Sequence, residues 1–175
     1  MDNTNEERPV NRKAQASLWS NIFRRHDPWI ETVAAMWSKT PLFNDISQKE
    51  IMRLSHSMHV RHYQVGEVIF HSNDYGAGAA MILSGKVAIK TEGVTLAELK
   101  PGDFFGEVSL VLDERRTADA IAMEESELVF FLRIDYEEWT TRSPHYGALL
   151  SRNLAYTLAE RLQYANRVIA QHKSD

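Results

Sequence analysis

Gly106, Glu107, Arg116 and Thr117 lie close together in the segment 101–120, PGDFFGEVSLVLDERRTADA. An arginine presents a planar fork of donors that can hold two oxygens of a phosphate at once. Thr117 adds a hydroxyl beside it, and Ala118 leaves room. Gly106 has no Cβ, so a ligand can approach its backbone closely. Val108, Leu110, Val111 and Leu112 form an apolar run that predicts about one or two helical turns. The opening amides of such a helix lack internal partners and favour an anion. Glu107 sits at the same end, where a carboxylate would be repelled by a phosphate unless it faced a donor. A ribose hydroxyl is such a donor. The stretch therefore suits a phosphate joined to a sugar. Phe104 and Phe105 are apolar anchors before it, and Pro101-Gly102 predicts a turn.

Something must hold these residues in register. Short β-rich runs are expected at 60–63, 67–70, 80–83, 87–91, 95–99 and 128–132. Turn residues separate them: Gln64-Val65-Gly66, Ser84-Gly85, Glu92-Gly93 and Pro101-Gly102. Many short strands between turns mean a sandwich or barrel. Ser47 and Glu50 have capping-box spacing, with Ile46 and Ile51 as a staple. Asp135 and Glu138 repeat that pattern, with Ile134 and Trp139, and predict a short helix after the strands.

From Ser143-Pro144 to about residue 171 the sequence predicts one long helix. Leu150, Leu154, Leu158, Leu162, Ala165 and Ile169 line one of its faces. Part of that stripe should close over the ligand. The rest either pairs with a second copy or packs within the chain.

Residues 1–14 are polar and expected to be disordered. Two helices are expected within 15–40. The first carries Leu18, Trp19, Ile22 and Phe23. The second is capped by Asp27-Pro28 and carries Trp29, Val33, Met36 and Trp37, ending at Thr40-Pro41. Its tryptophans, with Trp19, need cover from the protein's own strands or from a partner. The expected fold class is α+β: an antiparallel, jelly-roll-like β-roll over 41–143, flanked by N-terminal helices and a long C-terminal helix over 144–175.

The pattern F-G-E-apolar-small-L, followed by R-small-A, resembles the phosphate-binding cassette of cyclic-nucleotide-binding domains. That family includes the catabolite activator protein, regulatory subunits of cAMP-dependent protein kinase and cyclic-nucleotide-gated channels. The resemblance runs from about 41 to 163. Pro41-Leu42-Phe43 with Ser47-Gln48-Lys49-Glu50 is similar to the family's first helical segment. Gly66-Glu67-Val68-Ile69-Phe70 is similar to its second strand, and Met81-Ile82-Leu83-Ser84-Gly85-Lys86-Val87 to its central hairpin.

The resemblance implies a role for each matching residue. Glu107 would bind the ribose 2′-hydroxyl, Arg116 the cyclic phosphate, and Thr117 would assist. Gly106 would supply a backbone contact, with Phe105, Val108 and Ala118 around it. Leu162-Gln163-Tyr164-Ala165-Asn166 is similar to the base-contacting part of the long helix, which makes Gln163 and Asn166 the candidates for base contact. The hydroxyl residue expected near Ala165 is missing. Asp119 stands where the family commonly has a neutral threonine or valine. Strand alternation can turn it away from the phosphate, toward Arg115 or Arg116. The implied ligand is cAMP or cGMP, with cyclic di-GMP as an alternative effector. Thr117 beside the arginine occurs in relatives that accept cGMP, and general frequency favours cAMP.

Composition narrows the classes. The chain has 175 residues, a formal charge of −4 and no cysteines. The charge argues mildly against a nucleic-acid partner, and disulfides and thiolate chemistry are excluded. No signal peptide is visible, and no apolar run approaches the ~20 residues of a membrane span. A cytoplasmic location is expected. The sequence ends at Asp175, so no helix-turn-helix is expected after the long helix, and no DNA partner. Such a module would pass its signal to an unidentified protein partner or through self-association.

His56, His59, His62 and His71 raise the question of a metal enzyme on a small β-roll. A cupin-like site needs a His-x-His pair with a following carboxylate, and alternation puts His59 and His62 on opposite faces. No catalytic and no metal residue is therefore assigned. A ligand-free scaffold for protein interaction remains the other alternative.

Overall fold

A computed structural model describes residues 28–172 of the chain. The expected tail 1–14, the helix around Leu18, Trp19, Ile22 and Phe23, and the cap Asp27 lie outside the described residues.

Three strands of the roll alternate with period two and bury both faces. In β3 (Gly78–Ser84), Ala79 and Met81 face the helices while Ala80 and Ile82 face the opposite sheet. In β8 (Ser126–Leu132), Val129 and Phe131 take the helix side and Leu128 and Phe130 the other. The two residues of β6 (Phe104–Phe105) divide in the same way. The remaining strands are β1 (His59–Tyr63), β2 (Val68–Phe70), β4 (Val87–Thr91), β5 (Val94–Leu99) and β7 (Asp119–Ala122). One sheet has the order β1-β8-β3-β6 and the other β2-β7-β4-β5, every pairing antiparallel.

β4 and β5 are joined through Glu92 (φ +50°) and Gly93 (φ +81°). Two successive positive φ values give the turn twist that a tight hairpin needs.

Among the described residues, four helices flank the roll: α1 (Pro28–Trp37), α2 (Gln48–Ser55), α3 (Arg133–Arg142) and α4 (Pro144–His172), with a 3-10 turn at Pro41–Phe43. Their apolar sides meet the outer face of the β1-β8-β3-β6 sheet. Trp37, Phe43, Ile51, Leu54, Leu150 and Leu154 are buried there against Met81, Val129 and Phe131. Trp29 is half-buried on the same core, so the two described tryptophans of α1 are covered by the chain itself.

The α+β roll with flanking helices is thus as expected, and the differences are local. Strands β6 and β7 were not expected. The helix after Gly106 is a single 3-10 turn, Glu107–Leu110, rather than one or two α-helical turns. Ser47 does occupy the cap of α2, yet its side chain makes no cap bond. Asp135 is not a cap. β8 runs straight into α3, so the extended residue at the cap position is Leu132 (φ −82°, ψ 152°), and Asp135 falls inside the first turn. On α4, Leu150 and Leu154 are buried and Leu158 is half-buried, while Leu162, Ala165 and Ile169 are exposed.

Asp135 is left with a buried Oδ2 that has no hydrogen-bond partner. Burial raises its carboxyl pKa above the ordinary value, against the opposing pull of His59 and a backbone bond at Leu132. A carboxyl raised by folding stabilises the fold at low pH and loses that contribution as pH rises through its folded value. An Asp135→Asn variant, which does not titrate, should gain Tm relative to the native protein between about pH 4 and pH 7. An unchanged difference in Tm across that range would show that burial is not the dominant influence on Asp135.

Candidate functional site

Gly106 turns the chain from β6 into the 3-10 turn with φ +74°. A side chain there would be strained, and its Cβ would lie 2.6 Å from Arg116 Nη1. The glycine is therefore required by the arginine that packs over it. The next residue, Glu107, is buried at 4% exposure although it carries a carboxylate. Arg116 reaches the same place from the segment leading into β7.

These residues line one open cavity of about 430 Å³. Phe105, Gly106, Glu107, Val108, Arg116, Thr117 and Ala118, all expected from sequence, contribute to its wall. Its volume lies within the ~300–1,000 Å³ typical of small-molecule sites. One wall is polar, with a carboxylate and guanidinium groups. The facing wall is apolar and comes from Phe70, Ile89, Ala97 and Leu99. Ile89 and Ala97 are direct cross-strand partners on β4 and β5. Sequence reasoning did not name these four, although alternation along β5 places Ala97 and Leu99 on one face.

Arg116 is held from several sides. Nη1 donates to Gly106 O at 3.2 Å and Ser109 Oγ at 2.9 Å, and Nη2 donates to Gly78 O at 2.7 Å. The guanidinium stacks on Phe70, 4.2 Å from the ring centre. Its backbone is tied as well, through Arg116 N to Asp74 O and Asn73 N to Arg116 O, each 2.8 Å. Burial lowers the pKa of the guanidinium, while the charges of Glu107 and Asp74 counter that shift. Nε is buried without a hydrogen-bond partner. A guanidinium has five N–H donors, so this one keeps donor capacity for an anion.

Arg161 was also missed. It enters the cavity from α4, the one described residue of that helix to line it. Nη1 lies 2.7 Å from Glu107 Oε1, and Nη2 donates to Phe104 O at 2.6 Å. The signal for it in the sequence is a cation between Leu158 and Leu162, beside the apolar stripe. Gln163 and Asn166, the expected base contacts, are exposed on α4 and do not line the cavity. Asp119 does not line it either. Its Oδ1 accepts from Ser72 N at 2.8 Å and sits 3.5 Å from His71 Nδ1, so it pairs with the turn after β2 rather than with Arg115 or Arg116. His62 lies 3.8 Å from Glu127. No cluster of three or more His, Asp or Glu with metal-site geometry occurs among the described residues.

A carboxylate, a braced arginine and a glycine turn on one β-roll cavity form a definite arrangement, and residues 60–142 match the family model of the cyclic nucleotide-binding domain. The chain carries a cyclic nucleotide-binding domain. The matched span runs from β1 to the end of α3 and includes the whole cassette.

The "Cyclic AMP receptor protein" of Thermus thermophilus is 36% identical over 132 residues, 73% of this chain and 59% of the relative. The solved structure of the Thermus thermophilus catabolite activator protein superposes with a TM-score of 0.68 at 34% identity, over 77% of this chain and 63% of that one. The cAMP-dependent protein kinase regulatory subunit of Hypocrea atroviridis is 30% identical over 84 residues, 48% of this chain and 18% of the relative. The chain thus spans 59% of the first of these curated relatives and 18% of the second. Arg161 lies outside the residues that match the cyclic nucleotide-binding domain model. No helix among the described residues is long and apolar enough to cross a membrane.

Proposed function

We propose that the protein is a non-catalytic, cytoplasmic sensor of a cyclic nucleotide, with cAMP as the first ligand to test and cGMP as the second. The observation that carries this reading is the single cavity holding a buried Glu107 and a braced Arg116 beside a positive-φ glycine. In this reading Arg116 and Thr117 take the cyclic phosphate and Glu107 takes a ribose hydroxyl. Gly106 supplies a close backbone approach, and Phe105, Val108 and Ala118 close the wall. The apolar side of the cavity, from Ile89, Ala97 and Leu99, suits a base. The names of the two cAMP-linked relatives support the choice of ligand. Residues 41–143 act as the binding roll, with 101–120 as its cassette.

Residues 144–175 act as lid and pairing helix. Arg161 is the physical tie between α4 and the cassette. Leu162, Tyr164 and Ile169 are exposed beyond it and offer a surface for a second copy or a protein partner. Ligand can move this helix only by binding one of its positions better than another. Arg161 engages Glu107 Oε1, and the second carboxylate oxygen is available to a ribose hydroxyl, so one carboxylate links occupancy to helix position.

Arg161→Ala tests the tie. Glu107 would keep its carboxylate buried without an ion pair. Because Arg161 is half exposed, the expected loss in nucleotide affinity is moderate, about 1–2 kcal/mol or roughly 5–30-fold. Hydrogen exchange of α4 beyond Leu158 should rise in the ligand-free variant. Unchanged exchange there would remove Arg161 as the link.

Isothermal titration calorimetry with cAMP, cGMP and cyclic di-GMP tests the reading as a whole. Saturable binding of cAMP or cGMP supports it. Binding of cyclic di-GMP alone would replace the ligand, and no binding of any would leave a scaffold.

A further inference from the structure

Arg116 and Phe70 form a partition with space on both sides. Behind them lies a second cavity of about 270 Å³, between β1, β8 and the segment that follows β2. Its walls are unusually aromatic. Tyr63, Phe70, Tyr75 and Phe130 all contribute rings, and Tyr63 and Phe130 stand 6.3 Å apart between ring centres. Its charge is unbalanced. Arg61 and Arg116 line it with His59, and Asp74 is the single carboxylate. Asp74 Oδ2 accepts from His71 N at 2.8 Å, and its charge is set against that of Arg116.

Arg61 is the informative residue. It projects from the centre of β1 and is exposed. It has no ion pair with a carboxylate among the described residues. Its neighbours are the Phe130 ring, 5.8 Å from the guanidinium carbon, and the Tyr63 hydroxyl. A guanidinium beside aromatic faces is well placed to receive a planar anion, because the fork binds a carboxylate bidentately while the rings cover a flat body. The volume sits just under the ~300 Å³ at the lower end of small-molecule sites, too small for a nucleotide and suited to a single ring.

We propose that this second cavity binds a small aromatic carboxylate, with Arg61 holding the carboxylate and Tyr63, Phe70 and Phe130 covering the ring. Because Arg116 and Phe70 belong to both cavities, a ligand in one changes the position of the groups that serve the other. Any such coupling is reciprocal: each ligand alters the other's affinity by the same factor.

The test uses the full chain labelled with nitrogen-15 and benzoate as the probe, with benzyl alcohol as the uncharged control. Saturable amide shifts at Arg61, Tyr63 and Phe130 at or below about 10 mM benzoate, with none from benzyl alcohol, are expected. Arg61→Gln should weaken benzoate at least tenfold and leave Tm unchanged, since Arg61 is exposed on its strand. Three results overturn the proposal: no saturation over that range, equal binding of benzyl alcohol, or shifts confined to Glu107, Thr117 and Arg161 in the first cavity. Titrating cAMP with and without benzoate keeps the two readings apart. If neither cAMP nor cGMP binds and benzoate still saturates at Arg61, the sensor reading falls and the second site stands.

Discussion

An Arg116→Ala variant loses cyclic nucleotide affinity by ~2–5 kcal/mol, tens to thousands of fold, because it removes a partly buried charge from the phosphate position. The same truncation removes the guanidinium donors to Gly78 O and Ser109 Oγ, while Gly106 O keeps its bond from Ser109 N. Each buried acceptor left without a partner costs about 1–3 kcal/mol, so Tm must be followed beside affinity. Arg116→Lys separates the two effects. It keeps the charge but has no planar fork, and its donors radiate from one nitrogen instead of spanning Gly78 O, Gly106 O and Ser109 Oγ. Calorimetry of both variants with cAMP and cGMP is the measurement. Full affinity in a folded Arg116→Ala protein would end the assignment of this cavity to a phosphate.

The second large effect concerns the fold. Trp37 is 1% exposed at the centre of the helix-side core. It stacks on Phe43 at 4.4 Å and meets Phe104 edge-on at 6.1 Å and Phe131 at 6.0 Å. Trp37→Ala should cost about 3–5 kcal/mol and lower Tm by roughly 6–20 °C. Trp37→Phe should cost far less, because the indole Nε1 is buried without a hydrogen-bond partner and its removal loses no bond. Phe104 also carries the carbonyl that accepts from Arg161. A Trp37→Ala protein that melts like the native one would place the centre of the helix-side core elsewhere.

The sequence made the cassette legible because its chemistry is local. A glycine that must turn, a carboxylate beside it and an arginine shortly after are readable without knowing what lies opposite. All seven residues expected from it do share one cavity. The apolar wall is different. Ile89, Ala97 and Leu99 reach the cavity only through the pairing of β4 with β5, which sequence spacing does not state.

Arg161 depends on the rotation of α4 about its axis. The apolar stripe predicted that rotation for Leu150 and Leu154, and past Leu158 the helix no longer buries its stripe. β7 was hidden by its composition, since Asp119, Ala120 and Ala122 are weak strand formers. Asp135 was misplaced because capping-box spacing does not reveal that a strand hands over to a helix without a loop. The orientation of Asp119 was legible in principle from alternation, but its partner, the turn after β2, was not.

The central sheet of this protein is a party wall between two rooms. Ala79 and Met81 furnish one core, Ala80 and Ile82 the other, and β8 is shared in the same manner. Adding or deleting a single residue in β3 or β8 would send every later side chain into the wrong room. In a sheet with one wet face such a slip exposes apolar groups. Here it would also press bulky groups into space shaped for alanine, and empty the space shaped for methionine. These strands therefore have fixed length. Insertions have to be made at solvent-exposed tips such as Glu92-Gly93, where nothing lies within 4 Å of a Cβ added to the glycine. A tag, a label or a second domain grafted onto this protein belongs at that hairpin and not one residue into the strands that the wall is made of.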